Sequence, residues 1–234
     1  LADIVGRKKV FTAGLAVFSL ASLLSATAWS IQSLIAFRVL QGVGGAMIFG
    51  TAIAILTSVF PPQERGRVLG YNTAVVYTGL SLGPVLGGIL NHQFGWQSIF
   101  YSIGLMGVLA FSLTMLKLKG EWTGAAGDSF DLTGTVLYVT GIVAVLYGFS
   151  NVAASHRAWG ILLLGLAFMV LFVRHENRDN QPLIKMKLFK NTGFAFSNLA
   201  ALINYSATFA VSFLLSLYLQ VVKGLDSQTA GLVL

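Results

Sequence analysis

Polar residues along this chain are gathered into short clusters, and long apolar stretches run between them. Seven stretches stand out: 10–28, 31–60, 68–90, 97–116, 132–150, 158–173 and 194–222. A helix needs ~20 mainly apolar residues to cross a bilayer, and each stretch approaches or exceeds that length. The sixth is short, but Arg174 at its end can stretch toward the interface while its stem stays in the apolar layer. An eighth stretch begins near Ser227. The pattern predicts an all-α integral membrane protein with about seven transmembrane helices and the start of an eighth.

The charges between the stretches test that reading. With the N-terminal segment in the cytoplasm, the inner loops hold Arg7, Lys8, Lys9, Arg65, Arg67, Lys117, Lys119, Arg174, Arg178, Lys185, Lys187 and Lys190. The outer loops hold only Arg157 and Lys223, and Arg38 lies within a stretch. Cytoplasmic loops collect Lys and Arg, so this asymmetry predicts both the number of spans and their orientation in a cell membrane. The same sorting accounts for the net charge of +7 without nucleic acid as a partner.

Composition adds exclusions. Only 10% of the 234 residues are charged and 56% are hydrophobic. Soluble domains carry about 25% charged residues, so a lipid bilayer is the expected surrounding. With no cysteine there is no disulfide framework, thiol nucleophile or Cys-bound zinc. His92, His156 and His175 lie far apart, no pair has metal-ligand spacing, and no metal site or cofactor is expected. No Ser–His–Asp arrangement or phosphate loop stands out; "GVGGAM" after Gln41 follows apolar helix rather than a strand and lacks a third glycine. An enzyme is not expected. No lysine lies within a span, which excludes a retinal Schiff base. The chain opens on Leu1 and ends at Leu234 in an apolar run, and is expected to be part of a longer protein.

Three features inside the spans carry candidate chemistry. Arg38 stands seven residues into the second stretch, ~10 Å from its outer end at 1.5 Å per residue. Arginine near the centre of a span costs ~2.5–3.5 kcal/mol, so Arg38 points to a polar cavity. All eight acidic residues lie in loops or at helix ends, leaving a polar side chain, water, substrate or a group outside this chain as its partner. The stretch "TGLSLGPVLGGIL" places Gly79, Gly83 and Gly87 four apart, on one side of a helix, where a neighbouring backbone can come close. Pro84 beside them cannot donate to the Leu80 carbonyl and should loosen the helix. A tightly packed, bent helix and a helix that gates a pathway both fit. In the seventh stretch Asn198, Tyr205, Thr208 and Ser212, with Ser216, fall roughly on one face bordered by Phe209 and Phe213. They are either hydrogen-bonded to their own backbone or one wall of a cavity for an amphipathic solute.

Together these segments resemble the major facilitator superfamily, and within it the fourteen-helix drug:proton antiporters of the EmrB/QacA type. "LADIVGRKK" is similar to the loop motif between helices two and three, with Asp3, Gly6, Arg7 and Lys8 in its positions. "LIAFRVLQGVGGA" matches the helix-four motif at Leu34, Arg38, Gln41, Gly42 and Gly44. "GLSLGPVLGGIL" matches the antiporter motif of helix five at Gly79, Gly83, Pro84, Gly87 and Gly88. "YLQVVKGLDSQTAG" resembles the segment leading into the next helix. Ile4 stands where the family often has a basic residue.

The resemblance implies a partial bundle. Residues 1–116 would belong to the N-terminal bundle, 117–193 would hold an extra central helix pair with its flanking loops, and 194–234 would start the C-terminal bundle. It further implies a gating network at Asp3, Gly6, Arg7 and Lys8, and a proton relay or cavity organiser at Arg38 and Gln41. Gly79–Gly88 would pack between bundles. The expected function is proton-coupled efflux of amphipathic or cationic compounds by alternating access. A membrane scaffold or sensor without transport, or a non-functional transporter remnant, is the other class that fits.

Overall fold

The computed structural model describes residues 2–124, 130–179 and 182–233. Among them there is no β-strand. The helices are α1 (Ala2–Val5), α2 (Arg7–Ala26), α3 (Ile31–Val59), α4 (Pro62–Phe94), α5 (Gln97–Lys117), α6 (Leu132–Asn151), α7 (His156–Glu176), α8 (Thr192–Leu217) and α9 (Ser227–Val233). A 3₁₀ turn, Met186–Lys190, precedes α8, and a π turn, Tyr218–Val222, follows it. Seven helices are long and apolar enough to span a bilayer, α8 doing so together with its π turn.

By contacts the chain divides into two compact units, Leu1–Ala126 with Ala207–Leu234, and Gly127–Ser206. At the centre of the first, α2 packs on α3 and α5. Small residues set the closeness of both contacts. A Cβ added at Gly44 would lie 2.6 Å from the Phe18 backbone nitrogen, and one at Gly14 would lie 2.7 Å from Met47 Cβ. Against α5, a Cβ on Gly104 would meet Leu23 Cδ2 at 2.6 Å, and one on Gly107 would run into Ser19 Oγ. Ser19, Ser22 and Ser25 are buried on α2, and each hydroxyl donates to the carbonyl four residues back, at 2.6, 2.7 and 2.8 Å. Serine can therefore replace larger apolar residues at these contacts without leaving a buried hydroxyl unpaired.

α3 opens on a capping box in which Ser30 Oγ accepts from Ser33 N and Ser33 Oγ accepts from Ser30 N. α4 runs further than its apolar stretch predicts. The polar residues 62–67, read from sequence as loop, form its first turns. Pro62 stands where its missing N–H is not needed, and Glu64 lies near the positive helix end. At 33 residues α4 is ~50 Å long against a hydrocarbon layer of ~30 Å, so its charged first turns can lie beyond the apolar layer. It stops at Gly95, whose φ of 78° suits glycine.

α9 lies against the far half of α4. A Cβ on Gly88 would collide with the Ser227 carbonyl, and one on Gly231 with the Pro84 carbonyl. Asn91 Nδ2 donates to Ser227 Oγ at 3.2 Å.

In the second unit, which also holds the 3₁₀ turn and the start of α8, α6 and α7 pack as a hairpin. A Cβ on Gly148 would sit 2.6 Å from Leu162 N, and one on Gly165 2.6 Å from Val145 N, so these backbones also approach through glycine. Asp131 caps α6 by accepting from Gly134 N at 2.7 Å. Burial alone would raise the Asp131 carboxyl pKa, but that hydrogen bond and the His175 imidazole hold it below its ordinary value.

Large apolar side chains such as Phe49, Phe149 and Val221 are more than three-quarters exposed on this chain, as lipid-facing or helix-facing positions require. The packing yields a direct test. Gly44→Leu should destabilise the protein by roughly 1–3 kcal/mol through overpacking. Gly42→Leu, on the same helix with nothing within 4 Å of its Cβ, should leave the thermal melt in detergent close to wild type.

Candidate functional site

The site begins with Arg38 on α3. Its Nη1 donates to Gln41 Oε1 at 2.6 Å, one helical turn on. Gln41 Nε2 donates to Ser22 Oγ on α2 at 2.6 Å, and the Ser22 hydroxyl donates to the Phe18 carbonyl at 2.7 Å. Each link donates to the next in one direction, which fixes the Gln41 amide orientation by network logic. Gln41 and Ser22 are buried, at 3% and 0% exposure, whereas Arg38 is exposed. The guanidinium carbon lies 5.7 Å from the centre of the Phe100 ring on α5, within range of a cation–π attraction. Among the described residues no carboxylate pairs with Arg38. Of the partners left open by the sequence, a polar side chain supplies one contact and the rest of the cation faces outward.

Asp3, Gly6, Arg7 and Lys8 come together at the start of α2. Arg7 Nε donates to Asp3 Oδ1 at 2.6 Å. Its Nη1 donates to Ser58 Oγ at 2.5 Å and to the Ala54 carbonyl at 3.2 Å, both near the C-terminal end of α3. That end carries partial negative charge, so the guanidinium is well placed.

The segment after α5 completes this cluster. Glu121 Oε1 accepts from Lys8 N at 2.8 Å and from Trp122 N at 3.3 Å. Arg7 N donates to the Trp122 carbonyl at 2.8 Å, and Gly124 N donates to the Asp3 carbonyl at 3.0 Å. Gly6, the N-cap of α2, has no side chain to offer, and Glu121 supplies the acceptor from 113 residues away. A Cβ at Gly6 would lie 2.6 Å from Glu121 Cδ, and its φ of 127° disfavours other residues. Sequence reading missed Glu121, Trp122, Ser22 and Phe100. A lone glutamate in "KGEWTG" gives no signal of a helix cap that distant, whereas the Ser19, Ser22 and Ser25 spacing on α2 does mark a buried polar stripe.

The glycine-rich stretch of α4 divides between two surroundings. Among the described residues a Cβ on Gly79, Gly83 or Gly87 would meet nothing within 4 Å, so within its own unit the face with four-residue spacing is open. Pro84 and Gly88 hold the contact with α9. A cavity of about 250 Å³ lies beside them, lined by Pro84, Gly87, Asn91, Ser216, Gln220 and Ser227 among others.

On α8, Asn198, Tyr205, Thr208, Phe209, Ser212 and Phe213 are all exposed. Asn198 Nδ2 donates back to the Phe194 carbonyl at 2.8 Å. The residues nearer the end of α8, Ser216 and the following Gln220, line the cavity instead, and Gln220 Nε2 donates to Ser216 Oγ at 2.9 Å.

Seven membrane-length helices among the described residues, most of them meeting a neighbour through small residues, with an arginine held within one of them by a polar chain, define a multi-pass helical membrane protein. The chain belongs to the Major Facilitator Superfamily, which it matches over residues 1–234. It is 33% identical over 234 residues to the riboflavin transporter RibZ of Clostridioides difficile, covering all of this chain and 51% of that protein. It is 32% identical over 243 residues to the multidrug resistance protein Stp of Mycobacterium tuberculosis, covering 44% of it. The methylenomycin A resistance protein of Streptomyces coelicolor is also 32% identical, over 241 residues and 50% of its length. The chain thus spans about half the length of the curated relatives it matches.

The cap on α2 is testable. Glu121→Ala should cost roughly 0.5–2 kcal/mol, the usual worth of a helix N-cap, and speed hydrogen exchange at Lys8. Glu121→Gln keeps an acceptor oxygen and should lose much less. Equal exchange in wild type and Glu121→Ala would rule out the cap.

Proposed function

We propose that this chain forms part of a secondary transporter that exports amphipathic or cationic small molecules in exchange for protons, by alternating access. Residues 1–116 contribute helices three to six of the first bundle, 117–193 the extra pair with its flanking loops, and 194–234 the start of the second bundle. The protein lies in the cell membrane with the N-terminal segment of this chain in the cytoplasm. The observation that carries the reading is the Arg38–Gln41–Ser22 chain. It holds a permanent cation within a span while leaving one side open to an anionic or proton-carrying partner. The multidrug and methylenomycin resistance relatives support export of drug-like compounds.

Asp3, Gly6, Arg7 and Lys8 act as the gating cluster, holding the inner ends of α2 and α3 together in one access state. Gly79, Gly83 and Gly87 give α4 an open face for a helix of the second bundle, and Pro84 and Gly88 fix α4 against α9. The polar and aromatic face of α8, from Asn198 to Phe213, borders the substrate path.

A second substrate reading rests on the similarity to RibZ, named a riboflavin transporter. Riboflavin joins a planar apolar ring system to a polar chain, so it too is amphipathic. Uptake of labelled riboflavin into proteoliposomes, competed by unlabelled riboflavin and indifferent to cationic drugs, would favour that substrate.

The exporter reading is checked with the intact transporter in vesicles bearing a pH gradient. Arg38→Ala should lower proton-driven efflux at least tenfold; normal pumping by that variant would remove Arg38 from the mechanism. Gly83→Leu separates transport from folding. Because its Cβ is unopposed here, the thermal melt of this chain should not change, while efflux by the intact protein should fall.

A further inference from the structure

The ends of α6 and α7 bring together a group of side chains that the transport reading does not use. His175 Nε2 lies 3.0 Å from Asp131 Oδ1 and 3.1 Å from Oδ2, facing both carboxylate oxygens almost equally. The same nitrogen lies 3.5 Å from Asp179 Oδ2. One ligand atom from each of Asp131, His175 and Asp179 can be chosen so that all lie within 4.8 Å of one another. Ligands bound at ~2.1 Å to one cation stand ~3.0–3.5 Å apart, so the separations at His175 are those of neighbouring ligands around a common centre.

Glu176 supplies the independent observation. It is 3% exposed, and its Oε2 accepts from Ile184 N at 2.8 Å. Its Oε1 is buried and has no hydrogen-bond donor among the described residues. That oxygen comes within 2.7 Å of the point where a Gly134 Cβ would stand, and an Asp131 oxygen closes on the same point. The Asp131 and Glu176 carboxyl groups thus come together at Gly134. The His175 imidazole lies against this pair, 3.0 Å from Asp131 Oδ1, and a cation bound beside it would add positive charge there.

We propose that Asp131, His175 and Asp179 form a binding site for a divalent cation of the Mn²⁺/Zn²⁺ class, with the buried Glu176 carboxyl facing Asp131 beside it. One imidazole nitrogen with carboxylate oxygens is a mixed donor set that suits these borderline ions better than Ca²⁺, which takes oxygen ligands only. The two carboxylate ligands lie on either side of the hairpin: Asp131 precedes α6, and Asp179 follows the end of α7. A bound cation would tie those ends together and, through Glu176 and Ile184, fix the segment that leaves α7. A cavity of about 380 Å³, lined by Glu176, Asp179, Lys185 and Lys187 among others, adjoins the site. Its two exposed lysines repel cations, so the affinity expected is micromolar rather than tighter.

The test uses the 234-residue chain purified in detergent and stripped with chelator, with Mn²⁺ as the probe. Electron paramagnetic resonance reads free aqueous Mn²⁺ directly. Wild type should take up one Mn²⁺ per chain, displaced by Zn²⁺, and both ions should raise its melting temperature. His175→Ala and Asp179→Asn should each weaken uptake at least tenfold. Asp179→Asn alters a residue at the end of the helix and serves where His175→Ala fails to fold. Absence of saturable uptake by wild type up to millimolar Mn²⁺ would overturn the site. Uptake unchanged in a folded Asp179→Asn protein would do the same.

Discussion

The contact between α2 and α3 governs the rest of the first unit. Within a bilayer, lipid tails are as apolar as leucine, so helices gain little by hiding apolar side chains from one another. Close backbone approach has to supply the attraction, and Gly14 and Gly44 make it possible where the helices cross. Two polar clusters depend on that crossing. Ser22 reaches Gln41 on one side of it, and Arg7 reaches Ser58 and Ala54 on the other. Arg7 and Ser22 are fifteen residues apart on α2, ~22 Å along its axis. A single steric fit therefore sets hydrogen-bond distances at both ends.

The two arginines it positions are treated differently. Arg7 is surrounded by acceptors: a carboxylate, a hydroxyl and a carbonyl at the negative end of α3. Arg38 has one amide oxygen and the face of a phenylalanine ring. Guanidinium offers five N–H donors, so Arg7 is close to satisfied while Arg38 keeps donors for another partner. Holding Arg38 by a neutral amide preserves its full charge toward that partner, whereas a carboxylate would have cancelled it. In the proposed transporter that difference separates the cluster that clamps one access state from the cation offered to a transported partner.

The spans were legible because bilayer crossing is a property of composition over ~20 residues, and composition is local. Asp3 and Arg7, four residues apart in the loop motif, meet in the structure, whereas the sequence left open which group would meet Arg38. Contacts between distant segments were not legible. Glu121 caps α2 from 113 residues away, and Asp131 meets His175 across 44. Histidine spacing alone pointed away from a metal site, because the ligands that could complete one are carboxylates on separate elements. The first turns of α4 were hidden for another reason. Residues 62–67 are polar, and hydropathy marks where a helix lies in lipid rather than where it begins.

The glycines of α4 show how far spacing can be taken. Positions four apart define a face, but they do not name the neighbour that covers it. Gly79, Gly83 and Gly87 lie along one such face, open within its own unit. Pro84 and Gly88 lie one residue on, ~100° around the axis, and that second face is the one α9 covers. The helix thus carries two adjoining small-residue faces. The covered one sets the Ser227 carbonyl against Gly88 and the Pro84 carbonyl against Gly231, too close for a Cβ at either glycine. The open one has no such contact and would let a partner pack closely in one state and withdraw in another. In the proposed transporter the division assigns α4 a fixed side and a moving side, with Pro84 on the fixed side, where a loosened backbone is supported by α9.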